Sequence, residues 1–172
     1  MRLFLSVFLS FLLTNVISAQ VPPTCGPSQQ LGGASACNQA CLWCDMNNIE
    51  DITSIPGPQA PTLPPGPLTI DQCIFGAPPM VLERPRWYAF VAGSTDIGFG
   101  IKNIGCSQGT SLEAAILSSC SQPYTALNCG PIDPLIPVIG ATNLVVGRVY
   151  YLVVDGVNDA ICRFTVDVSY GD

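Results

Sequence analysis

The sequence predicts an all-β fold: an antiparallel, jelly-roll-like β-sandwich stapled by disulfides. Three observations lead there. Side chains alternate with period two in several short segments, which is the repeat of a strand with one buried face. Those segments are separated by turns rich in Gly, Pro, Asn and Asp. Nine cysteines lie downstream of an apolar N-terminal stretch in a 172-residue chain that contains no histidine.

Residues 1–19 have the form of a secretory signal peptide. Arg2 supplies the positive charge, Leu3 to Leu13 the apolar stretch, and Ile17-Ser18-Ala19 a small residue at the cleavage point. The apolar run is shorter than the roughly 20 residues that span a bilayer. Cleavage would leave Gln20 first, and no later stretch is apolar enough to span a membrane. Export leads to an oxidising compartment, where thiols become crosslinks. Loss of Arg2 leaves a mature net charge of −7. That charge disfavours nucleic acid and anionic lipid as partners.

The remaining 153 residues suit one domain. Residues 20–52 form a cysteine-rich N-terminal segment with Cys25, Cys37, Cys41 and Cys44. Residues 53–69 carry six prolines, which exclude a helix or a central strand and predict an extended surface loop. Residues 70–172 are the sandwich body. Within it, 97–102 set Ile97, Phe99 and Ile101 against Gly98, Gly100 and Lys102. Residues 162–169 set Cys162, Phe164, Val166 and Val168 against Arg163, Thr165, Asp167 and Ser169. The stretches 87–92 (WYAFVA) and 149–154 (VYYLVV) are apolar on both faces, as central strands are. Residues 112–118 read as a short strand. The turn DGVNDA, between Val154 and Ile161, predicts a β-hairpin over 149–168.

Cys37, Cys41, Cys44, Cys73, Cys106, Cys120, Cys129 and Cys162 are the disulfide candidates. Cys162, on the inward side of its strand, is a candidate partner of Cys106, and Cys120 and Cys129 could close a local loop around Tyr124. Eight cysteines allow 105 connectivities, so the pairing stays open. Nine is odd, and Cys25 is the candidate for a free thiol or a crosslink to another chain.

From Cys37 onward the chain resembles a module of long exported proteins from Bacteroidetes-type bacteria, the kind found with PKD-type repeats and with gliding-motility or type IX sorting segments. The residues that carry the likeness are Cys41-Leu42-Trp43-Cys44-Asp45, the block Trp87 to Ser94, Cys106, Cys120, Asn128-Cys129, the block Leu144 to Gly156, and Cys162 with Phe164 and Val166. The block at 144–156 also resembles the closing strands of pre-peptidase C-terminal-type sandwiches. The resemblance implies a β-sandwich without activity of its own in a secreted or cell-surface protein. The proline-rich insert at 56–67 and Cys25 depart from the pattern. No repeat or sorting segment follows the last strand, so a free secreted domain or one fragment of a longer gene is expected.

Candidate chemistry is sparse. Without histidine, neither a Ser-His-Asp triad nor a Cys-His pair can form, and no catalytic residue is expected. Cys37, Cys41 and Cys44 have the spacing of an iron–sulfur motif, and with Cys73 they could hold zinc, but export favours disulfides. Asp155, Asn158 and Asp159 are candidate oxygen ligands for calcium, with Asp71, Asp133 or Glu83 as completing residues. Tyr124, Trp43, Trp87, Tyr88 and Tyr170 are candidate stacking platforms for a sugar, Tyr124 being the expected exposed one. The function expected is a secreted or cell-surface binding or adhesion module whose partner is an extracellular glycan, an envelope component or a neighbouring protein. The alternatives are an accessory domain detached from a secreted hydrolase and a small carboxylate-dependent hydrolase.

Overall fold

The computed structural model describes residues 22–25, 33–43, 53–54, 68–70, 73 and 79–171. They form eleven strands and one short 3-10 turn, Cys37–Gln39. The strands are β1 (Leu42–Trp43), β2 (Thr53–Ser54), β3 (Leu68–Ile70), β4 (Met80–Leu82), β5 (Arg86–Val91), β6 (Ile97–Gln108), β7 (Leu112–Leu117), β8 (Ala126–Pro131), β9 (Val138–Ala141), β10 (Val149–Gly156) and β11 (Ile161–Tyr170). A five-stranded sheet has the order β1-β5-β10-β7-β8 and a four-stranded sheet the order β2-β11-β6-β9. All pairings are antiparallel except β1 with β5. The all-β antiparallel sandwich is therefore present.

The alternation read from the sequence fixes the layer between the two sheets. Tyr88, Phe90, Ile116, Leu152 and Val154 from one sheet meet Ile97, Phe99, Ile101, Cys162, Phe164 and Val166 from the other, all buried. Each large apolar side chain removed from water contributes about 1.5–3 kcal/mol.

The five-stranded sheet is also covered on its outer face. Trp87, Ala89, Ala115, Leu117, Tyr151 and Val153 pack there against Ile70, Met80 and Leu82 of the β3–β4 pair and against Cys37 and Ala40. This third layer explains why β5 and β10 are apolar on both sides: they are central in depth as well as in strand order. Ala34 joins the edge of β5 by two backbone hydrogen bonds with Trp87.

Four disulfides hold these layers. Cys37–Cys120 and Cys73–Cys129 tie the covering layer to the β7–β8 hairpin and its turn, and Cys25–Cys41 closes the N-terminal segment. Cys106–Cys162 joins β6 to β11 at positions that are Cα partners in the sheet.

Several expectations need correction. Cys25 is paired, so it is not the odd cysteine; parity leaves Cys44, which lies outside the described residues. Cys120 and Cys129 do not bond each other, because each faces the covering layer and takes its partner there. Cys37, Cys41 and Cys73 are in disulfides, as expected of these candidates over the iron–sulfur or zinc alternative. The stretch 53–69 is not wholly a surface loop: its two ends are β2, where Ser54 is buried, and β3, while residues 55–67 lie outside the described residues.

The segment 149–168 is not a hairpin. β10 is flanked by β5 and β7, and β11 by β2 and β6, so their connection arches from one sheet to the other. Asn158 and Asp159 make that arch with φ of 53° and 59°, in the left-handed region that Asn and Asp tolerate. Five of the six connections from β5 to β11 cross between sheets in this way, and only β7–β8 stays within one.

Candidate functional site

Two parts of the molecule gather the side chains singled out in the sequence. The first is the seam where the covering layer meets the five-stranded sheet. Asp155, next to last in β10, has its side chain on the outer face. It is 2% exposed, and its carboxylate accepts hydrogen bonds from the backbone N–H groups of Glu83 (2.6 Å), Arg84 (3.0 Å) and Gly156 (2.8 Å). The first two donors belong to the turn leaving β4, so Asp155 pins that turn to the sheet. Arg84 donates from Nε to Asp159 Oδ1 at 2.6 Å, and the Asp159 N–H donates to Glu83 Oε2. Glu113 of β7 is the Cα partner of Asp155 on the neighbouring strand.

This arrangement explains the charges. Burial pushes the Glu113 carboxyl up to about 7, helped by the charges of Asp155 and Glu83. Burial likewise raises Asp155 to about 6, against the pull of its three amide donors and with a further push from Glu83. Both groups bind protons more tightly folded than unfolded. Their contribution to stability is therefore complete below about pH 4 and is lost as pH rises to about 7. Glu113→Gln removes the larger part. We expect it to raise stability at pH 8 by about 1–2 kcal/mol, discounted for partial exposure, and to leave pH 4 nearly unchanged. Thermal melts at the two pH values check this; an equal shift at both would contradict it.

Two of the three calcium candidates, Asp155 and Asp159, are otherwise engaged. Asp155 faces N–H donors, Asp159 faces a guanidinium, and Asn158 is exposed on the arch. The Asp133 carboxylate accepts from the N–H of Leu135, and Asp71 lies outside the described residues. Among the described residues, no group of three or more Cys, Asp or Glu is disposed to hold a metal ion. Glu113 was missed in the sequence; its one signal is a charged residue at the start of the apolar strand LEAAIL.

The second part is the aromatic set. Trp43 and Tyr88 pack as a tilted pair with ring centroids 4.5 Å apart in the core, where Tyr88 shares a 2.7 Å hydrogen bond with Ser54 and burial pushes its hydroxyl up to about 12. Trp87 is buried under the covering layer, with the Tyr124 ring 5.3 Å away and half-buried against it. These four are packing residues. The expectation of an exposed Tyr124 fails because the turn carrying it is drawn onto Trp87. Tyr170, at the end of β11, is the most exposed of the aromatic candidates at 48%.

The chain matches no protein family, and neither a curated protein nor a solved structure matches it at a significant level.

Proposed function

We propose that the chain acts outside the cytoplasm as a non-catalytic binding module. The observation that carries this reading is the unequal treatment of the two sheets. The five-stranded sheet is covered on both faces and crosslinked to its cover. The four-stranded sheet packs one face on the five-stranded sheet, and among the described residues Lys102, Val138, Arg163, Ser169 and Tyr170 on its strands are exposed to solvent on a rigid framework. Four disulfides belong to an oxidising environment and agree with the signal-like N-terminus. The likeness of the 87–94 and 144–156 blocks to exported β-modules points the same way.

A carboxylate-dependent hydrolase has one observation in its favour, the raised carboxyls of Glu113 and Asp155. Asp155 speaks against it, since its oxygens accept from three amides that hold the turn after β4. The test is retention. The immobilised oxidised protein, exposed to extracellular glycans and to a cell-envelope fraction, should retain a component that the reduced, alkylated protein does not. Equal retention by both forms, or turnover of a glycoside substrate abolished by Glu113→Gln, would overturn the proposal.

A further inference from the structure

We propose that Tyr170 is a stacking platform for a neutral sugar ring on the outer face of the four-stranded sheet, an inference that rests on the binding-module reading. Strict alternation along β11 would send Tyr170 to the inner side with Val168, which packs against the core. A register shift between Val168 and Tyr170 inserts Ser169 and sets Tyr170 opposite Gly98. Bulges re-aim side chains in this way. The ring then lies along the row Tyr170–Gly98–Gly140, which crosses three strands. A Cβ at Gly98 would overlap the ring, and one at Gly140 would overlap its hydroxyl.

The glycines are informative because their backbone does not require glycine. Gly98, Gly100 and Gly140 lie in regular strands, without the positive φ seen at Gly109 or Gly147. At Gly98 a Cβ would collide with the Tyr170 ring and at Gly140 with its hydroxyl and the Ile97 carbonyl, whereas at Gly100 it would make only a tight 3.0 Å contact with the Ser169 hydroxyl, which can turn away. The sheet thus gives up two side chains where Tyr170 lies down. With its underside on glycine backbone, the ring directs its 48% exposure outward.

The chemistry of that surface selects the ligand. A flat π face with negative quadrupole fits the C–H face of a pyranose. The phenol hydroxyl, over Gly140, and the hydroxyl of exposed Ser169, over Gly100, offer partners for sugar hydroxyls, and Val138, opposite Gly100 and 39% exposed, extends the apolar floor. The mature net charge of −7 disfavours acidic glycans. One ring with a polar rim is small against the roughly 1,000 Å² that a specific protein interface buries.

The test is calorimetric titration of the oxidised protein with neutral β-linked hexasaccharides of glucose, xylose, mannose and N-acetylglucosamine. The wild type should bind at least one. Tyr170→Phe should stay within about threefold, since it keeps the ring. Tyr170→Leu, which still covers the glycines but has no π face, should lose roughly tenfold or more with its melting temperature little changed. Binding undiminished in Tyr170→Leu would overturn the platform. Retention of an envelope protein with no binding to any of the hexasaccharides would also overturn it and would leave the module reading standing.

Discussion

Replacing both Cys37 and Cys120 by alanine is expected to cost about 3–4 kcal/mol, a fall in melting temperature of roughly 6–15 °C. The two residues are 83 positions apart, the longest loop closed by any of the four disulfides. A crosslink across so long a loop removes the most freedom from the unfolded chain. The remaining bonds already restrict part of that loop, which is why the value lies below the isolated-loop figure. The loss should also be local. Cys37 sits in the 3-10 turn over the outer face of the five-stranded sheet, so amide exchange should rise across residues 33–43. The Cys106→Ala/Cys162→Ala pair should leave exchange there unchanged, because that bond lies in the other sheet. Melts without reductant and exchange on both variants check this. A shift below about 1 kcal/mol for the first pair would mean that the covering layer does not depend on its clasp.

Trp87→Ala is expected to cost about 3–5 kcal/mol. Trp87 is 1% exposed and lies on the face of β5 that a two-layer sandwich would leave open to solvent. Its ring supports Tyr124, and its backbone holds Ala34. A cavity there would therefore loosen the covering layer as well as remove apolar burial. In a sandwich without a third layer the same change would act as a surface substitution, within about 0.5 kcal/mol. Denaturant unfolding separates the two outcomes.

What could be read from the residues was which faces are buried, and what could not was which strands are neighbours. Cys162, Phe164 and Val166 alternate inward whether β11 pairs with β10 or faces it across the core, so periodicity alone could not tell an arch from a hairpin. The doubly apolar WYAFVA and VYYLVV marked central strands correctly. That they are also covered on a second side by β3 and β4 depends on short segments whose own pattern is weak. Cys120 and Cys129 are close in sequence yet bond elsewhere, because disulfide pairing follows Cβ direction and not chain distance. Among the aromatic candidates, burial of both Trp87 and Tyr88 follows once both faces are covered. Tyr170 turns outward through a register shift that no alternation pattern contains.

The central claim is that outside the cytoplasm the thiols of this chain join in pairs and lock a three-layer β framework. Peptide mapping by mass spectrometry of the protein recovered from an oxidising compartment, under non-reducing conditions with free thiols trapped at the outset, tests it most directly. The framework requires Cys25–Cys41, Cys37–Cys120, Cys73–Cys129 and Cys106–Cys162, with Cys44 the cysteine outside these pairs. A map joining Cys120 to Cys129, or one in which Cys37 and Cys73 are recovered as free thiols, would contradict it.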